Sequence, residues 1–233
     1  GAVGWIMVAS GLEWDAIYVK PTRLALHFIF ALGLLCYTFW FALQLLIPRD
    51  QIIVNNKLRK LLWFIVALLT LQLVYGALMA GNKAATAAPT WPSINGQIIP
   101  SNMMAQPEGF LNLLDNKITI HFIHRTLAYI ILTLMVVLTV RMQKLQLSPL
   151  LAKTRKLPLI IVSMQVMLGI FSVITSTNII PGKWGSFEWM AQLHQLTAML
   201  LLLSLVWVLY LIRSRPWYKQ HQTDFCVACM NEY

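Results

Sequence analysis

Five stretches of this chain, residues 22–47, 61–80, 118–140, 157–180 and 187–212, each run for at least twenty residues with few polar side chains. About 20 such residues wound as a helix cross the hydrocarbon core of a bilayer. A helix is also one of the few structures whose backbone can satisfy itself in lipid. The chain is therefore expected to be an all-α integral membrane protein with five complete spans. Pro48, Gly81, Pro181 and Pro216 stand at the ends of four runs, where residues that continue a helix poorly belong. Composition agrees, because only 11% of the residues are charged, against about 25% in a soluble domain.

The net charge of +10 could suggest a nucleic-acid partner. The placement of the charges argues against one. Arg49, Lys57, Arg59 and Lys60 fall between the first two runs. Arg141, Lys144, Lys153, Arg155 and Lys156 follow the third, and Arg213, Arg215 and Lys219 follow the fifth. Twelve of the eighteen basic residues thus collect at one end of the alternating spans. That is the signature of a cytoplasmic or matrix side, not of a nucleic-acid stripe. The first, third and fifth spans then start at the outer side.

The outer loop 81–117 is the longest connection. It contains TWPSINGQIIP, in which Trp91-Pro92, Gly96 and Pro100 restrict the backbone, so an ordered cap over the helices is expected. The opening GAVGWIMVASGL reads as the last turns of a further helix, and a truncated chain is expected. Cys36 lies inside an apolar run and reads as packing. Cys226 and Cys229 form a C-x-x-C pair in the polar tail 216–233, with His221 as the one further ligand candidate, too few for a zinc site.

Two segments echo each other. GWIMVASGL leads to LALHFIFA, and GIFSVITS leads to AQLHQLTA. His27 follows Gly4 by 23 residues, and His194 follows Gly169 by 25. Duplicated helical units are common in membrane folds.

His27, His124 and His194 each lie a few residues past the outer start of a span, on the order of 10 Å along the helix. Ionisable residues at such depth usually face a site. Two neutral imidazoles on facing helices are the axial ligands of a heme, one on each side of the iron. His124 and His194 would serve if their helices meet across the bundle. The alternative is that each imidazole bonds a neighbouring backbone or hydroxyl group. His121, one turn before His124 and on nearly the same face, reads as a neighbour of a heme propionate or as a solvated residue. Arg125 could pair with a propionate or snorkel to headgroups. Gln165 and Gln195 could bond inside the pocket. Gly33, Gly76 and Gly169 could give a porphyrin or a helix room to approach.

These blocks together resemble the heme A synthase family. GAVGWIMVASGL with VKPTRLALHFIFA, TWPSINGQIIPSNM with NLLDNKITIHFIHRTLAY, and AQLHQLTAMLLL match it in order and spacing up to Arg215. The family converts heme O to heme A by oxidising a porphyrin methyl to a formyl group, for cytochrome oxidase assembly. It does so in eight spans arranged as two four-helix halves, each with a pair of outer-side histidines. The resemblance implies that the chain corresponds to the C-terminal two thirds of the enzyme. Residues 1–48 would end the N-terminal half, 49–60 would be an inner-side linker, and 61–215 would form a complete four-helix bundle with a bis-histidine heme site. Heme b would lie between His124 and His194, with His121 and Arg125 beside it. His27 would meet the iron of the substrate, heme O. The expected catalytic carboxylate would precede Gly1. The implied partners are the bilayer, the farnesyltransferase that makes heme O, and an electron donor, and an oligomer is compatible with the family. The implied location is a bacterial or mitochondrial inner membrane, with heme sites towards the outer side. A bis-histidine b-type membrane cytochrome acting only in electron transfer is the rival reading. A colourless helical protein with structural histidines is the second rival.

Overall fold

The computed structural model describes residues 1–12, 18–104, 109–179 and 183–213. Its helices are α1 (Ala2–Ala9), α2 (Pro21–Leu46), α3 (Asn56–Gly81), α4 (Asn112–Asp115), α5 (Lys117–Gln143), α6 (Pro149–Thr154), α7 (Leu157–Ile174) and α8 (Ser186–Leu211). Five helical stretches are long and apolar enough to cross a membrane: α2, α3, α5, the α6–α7 stretch and α8. The protein is integral to a membrane. The CVAC pair, His221 and Pro181 lie outside the described residues.

The helix starts have local causes. Pro21 opens α2 and Pro158 sits in the first turn of α7, where the missing N–H costs nothing. The Asn55 side chain accepts the Leu58 N–H to cap α3. The Asn116 side chain accepts the N–H groups of Ile118 and Thr119 to cap α5. Gly185 donates its N–H to Glu188 Oε2 at 2.8 Å at the head of α8.

Helices α3, α5, α7 and α8 form a closed ring in which each packs on two neighbours, so α5 faces α8 across the bundle. Helix α2 lies outside the ring against α3 and α8, and α1 packs on α2. The apolar core fills the half of the ring nearer the basic end. It interlocks Leu62, Ile65 and Leu69 of α3 with Ile131, Met135 and Leu138 of α5 and with Leu201, Leu205 and Val208 of α8. The three- and four-residue steps within each set put one stripe of each helix inside. Cys36 packs against this core as a free thiol.

Three expectations need correction. Residues 56–60 are not linker, because Lys57, Arg59 and Lys60 already lie in the first turns of α3. The helix runs past the apolar stretch, since charged side chains do not stop it outside the hydrocarbon. Nor is the chain wholly helical. Ile53–Val54 pairs in parallel with Ile212–Arg213, tying the α2–α3 connection to the end of α8. The fourth span ends at Ile174 and passes into a 3-10 turn over Thr175–Thr177, before the proline that the sequence suggested as its stop.

The loop 81–117 is a folded cap over its described residues. Asn95 (φ 51°) and Gly96 (φ 85°) make a tight turn closed by the Ile94–Gln97 bridge. Both positive angles suit an Asn-Gly pair. The 3-10 turn Ala84–Ala87 packs against α3, α5 and α7, and the Ser176 hydroxyl donates to the Ala85 carbonyl at 3.1 Å. Asn116 Nδ2 reaches the Asn102 carbonyl, and the Thr119 hydroxyl reaches that of Met103.

Gly81 is required where α3 meets the start of α2. A Cβ there would sit 2.8 Å from Pro21 Cβ and 2.9 Å from Pro21 Cα, both on a rigid ring at a helix start. Gly81→Ala is expected to destabilise the protein by about 1–3 kcal/mol through overpacking. Gly33→Ala, where a Cβ meets nothing within 4 Å, should instead be neutral or slightly stabilising through helix propensity. Thermal unfolding in detergent compares the two.

Candidate functional site

The site occupies the half of the ring opposite the basic end. It is built from the same three-residue unit used twice. In one unit, Gln72 and Gly76 on α3 receive the ring of His124 from α5. Gln72 Nε2 lies 3.3 Å from His124 Nε2, and a Cβ on Gly76 would stand 3.4 Å from His124 Cε1. In the other, Gln165 and Gly169 on α7 receive the ring of His194 from α8. Gln165 Nε2 lies 3.2 Å from His194 Nε2, and a Cβ on Gly169 would stand only 2.9 Å from His194 Cε1. Gln and Gly are four residues apart in both helices, so both face the imidazole they serve.

The two rings meet across the bundle with centroids 6.4 Å apart and planes inclined at 71°. A metal–imidazole bond of about 2.0–2.1 Å places two rings that share one metal roughly 6 Å apart, centroid to centroid. The separation is the one that two imidazoles on a single metal, such as a heme iron, would need, although each Nε2 here lies against a glutamine. The polar atoms around it fit as well. His194 Nδ1 lies 3.0 Å from the Gln165 carbonyl oxygen. A proton held there leaves Nε2 unprotonated, the acceptor of the Gln165 amide in this structure and the nitrogen able to ligate a metal in its place. Gln72 Oε1, Gln165 Oε1 and His124 Nδ1 are buried without a hydrogen-bond partner among the described residues. Such atoms are rare in a finished core and call for a ligand or water.

A third unit lies outside the ring. A Cβ on Gly4 of α1 would stand 3.1 Å from His27 Cε1 on α2. In all three units the glycine falls five residues before the last residue of its helix. His27 is half-buried and is not brought to the His124–His194 pair.

His121 is fully buried, which removes its reading as a solvated residue. Its Nε2 accepts from Arg125 Nε at 2.9 Å. Arg125 does not snorkel. Its Nη1 donates to the carbonyls of Ser93 at 3.1 Å and Pro92 at 3.4 Å, and its Nη2 donates to that of Thr90. Four of its five N–H donors are engaged, so no bidentate fork is left for a propionate. One turn on, the Tyr129 hydroxyl accepts from Trp91 Nε1 at 3.2 Å. The TWPS and HRTLAY segments are thus two sides of one joint, in which α5 grips the cap.

Several sequence-level candidates fall away. Gln195 is exposed on α8, and Gly33 approaches nothing. Gln72 was missed, although the Gln-x-x-x-Gly spacing it shares with Gln165 was a usable signal. The Gly76–His124 unit was missed because the cap stretches its spacing to 48 residues.

Comparison with known proteins places these observations. The model of the family COX15-CtaA, cytochrome oxidase assembly protein, matches residues 1–206. The chain is 43% identical over 136 residues to a protein of Bradyrhizobium sp. (strain ORS 278) named Heme A synthase, covering 58% of this chain and 37% of the relative. It is 36% identical to the Heme A synthase of Wolbachia pipientis subsp. Culex pipiens, covering 73% of this chain and 50% of that protein. It is 33% identical to that of Flavobacterium psychrophilum, covering 90% of this chain and 59% of that protein. The chain thus spans about half the length of the curated relatives it matches. No solved structure matches it. With the match running from α1 nearly to the end of α8, the chain belongs to the COX15-CtaA family of cytochrome oxidase assembly proteins.

Proposed function

We propose that this chain works in heme A synthesis, the oxidation of a methyl group of heme O to the formyl group of heme A for cytochrome oxidase. The bundle of residues 61–215 holds a heme b between His124 and His194. Residues 1–48 contribute His27 to the site for the substrate, heme O. The observation that carries this reading is the 6.4 Å pairing of two imidazoles, each nested on a glycine. The relatives named Heme A synthase supply the reaction. They give no support to a role confined to electron transfer.

The residues of the chain have defined tasks in this reading. His124 and His194, on opposite helices, would hold the heme from both sides, and its chemistry there would be electron transfer. The bound heme supplies a reversible one-electron couple. The Gln165 carbonyl keeps the proton on His194 Nδ1. Gly76 and Gly169 let the rings stand close to the neighbouring helices, and the apolar ring excludes water. Arg125 fixes the cap and keeps one Nη2 N–H for a heme carboxylate, with His121 orienting it. The basic end faces the cytoplasm or matrix of a bacterial or mitochondrial inner membrane. The heme sites face the other side. A heme O-producing farnesyltransferase and an electron donor are the partners.

The reduced-minus-oxidised visible spectrum of the purified protein, expressed with ample heme, tests the site. A low-spin b-type signal near one heme per chain is expected, and a colourless protein would overturn it. Chromatography of pigments extracted from membranes supplied with heme O tests the reaction. Heme A formation that requires His27 is expected, and reversible heme reduction without any heme A would refute the synthase assignment. Gly169→Ala should lower heme content several-fold, because the added methyl at 2.9 Å must displace His194. Gly76→Ala, with 3.4 Å available, should load nearly normally.

A further inference from the structure

The basic end carries a second constellation that the heme chemistry does not use. Arg59 of α3 donates through Nη1 to the carbonyls of Leu209, at 3.0 Å, and Ile212, so it is fixed at the end of α8. Arg213 is fixed beside it, because its carbonyl accepts the Asn55 N–H at 3.0 Å and its residue pairs with Val54 in the short parallel ladder. The Arg213 guanidinium lies against Trp40 and Tyr210, 5.5 and 5.1 Å from the ring centroids, and its Nε is buried without a hydrogen-bond partner. Lys57 and Lys60 are exposed in the first turns of α3. Among the described residues none of these four cations has a carboxylate partner. The nearest acid in sequence, Asp50, accepts from the Gln51 side chain.

This arrangement is electrostatically unfavourable by itself. A helix N-terminus carries a partial positive charge and favours acidic residues. The first turn of α3 has none and carries cations instead. Snorkelling lysines alone would be ordinary at a membrane surface. One arginine side chain bonded to two backbone carbonyls, beside another stacked on two aromatic rings with an unpaired buried N–H, is not ordinary. The cluster also continues into the lipid-facing surface. Lys60, Trp63 and Phe64 share one exposed stripe of α3, and the Arg59 guanidinium lies 6.0 Å from the Trp63 ring. Tryptophan at this level marks the membrane interface.

We propose that Arg59, Arg213, Lys57 and Lys60 bind the phosphodiester headgroup of an anionic glycerophospholipid, with its acyl chains along the Trp63–Phe64 face. Basic pockets at this side of a membrane protein recognise such headgroups. The lipid would supply the missing counter-charge where α2, α3 and α8 converge.

Native mass spectrometry of the full chain in nonionic detergent tests this. Phosphatidylglycerol and phosphatidylcholine with identical acyl chains are offered together. A phosphatidylglycerol preference of at least about fivefold is expected, the gain from one or more extra cation contacts. It should come with a higher unfolding temperature that phosphatidylcholine does not give. Arg213→Gln should bring the preference close to unity. Lys57→Gln/Lys60→Gln changes exposed side chains only, so it decides the matter if Arg213→Gln does not fold, and a clear reduction is expected. An undiminished preference in the lysine variant, or no preference in the unaltered chain, would overturn the site. Equal stabilisation by inorganic phosphate alone would overturn its assignment to a lipid.

Discussion

Replacing either His124 or His194 with alanine is expected to erase the low-spin heme spectrum of the purified protein, while His27→Ala leaves it in place. Six-coordinate iron needs both imidazoles, so the effect of one substitution should be nearly all-or-none, with no graded half-signal. The geometry supports this because the rings come from helices on opposite sides of the ring and each has the other as its ring partner. Among the described residues no third imidazole stands ready to substitute, since His121 faces Arg125 and His27 rests on Gly4 outside the ring. Each alanine removes a side chain from a site whose glutamine partners are already short of hydrogen bonds. Added free imidazole should restore the spectrum in part, since it can replace the missing ring. If His194→Ala kept an unchanged low-spin spectrum, the axial assignment would be lost. Circular dichroism and chromatographic behaviour separate this outcome from misfolding.

Arg125→Leu is expected to release the cap and to lower stability by roughly 2–4 kcal/mol, since it deprives several carbonyls and His121 of a charged donor. The bonds concerned go to Thr90, Pro92 and Ser93, all in the TWPS segment. Arg125→Lys should recover only part of the loss, because an ammonium cannot reproduce the planar fork. Limited proteolysis gives the second readout: cleavage within residues 81–104 should accelerate in Arg125→Leu and much less in Arg125→Lys. Tyr129→Phe, which removes only the acceptor for Trp91 Nε1, should loosen the same segment to a smaller degree. A stable Arg125→Leu protein with a protease-resistant cap would show that the arginine is not the clamp.

The spans were legible because lipid imposes a simple rule on length and polarity, and because Pro48 and Gly81 stand at their ends. Distance in sequence limited the rest. The parallel pairing of Ile53–Val54 with Ile212–Arg213 involves two residues on each side, too few to leave a periodic trace. The extension of α3 back to Asn56 was hidden because Lys57, Arg59 and Lys60 look like linker when judged by polarity alone. Histidine depth pointed to His124 and His194, since an imidazole inside an apolar helix stands out. Gln72 did not stand out, because one glutamine in a long helix has many uses, and only its position opposite a ring singles it out. Arg125 was legible as a functional residue but not as the clamp of the cap. Its surroundings are carbonyl groups of a distant loop, and backbone acceptors leave no mark in a sequence.

The near-duplicate ligand units have a stereochemical consequence. A porphyrin with unlike edges has two distinguishable faces, and two equivalent Gln–Gly–His sets would accept either face with the same energy. A degenerate cradle of that kind would load a mixture of flipped isomers. The likeness is broken at the imidazoles, where His194 Nδ1 meets the Gln165 carbonyl and His124 Nδ1 has no partner among the described residues, and again at the following residue, where α5 carries Arg125 under the cap and α8 carries the exposed Gln195. Handedness of insertion would then be decided by the unequal imidazoles together with one cationic corner beside them.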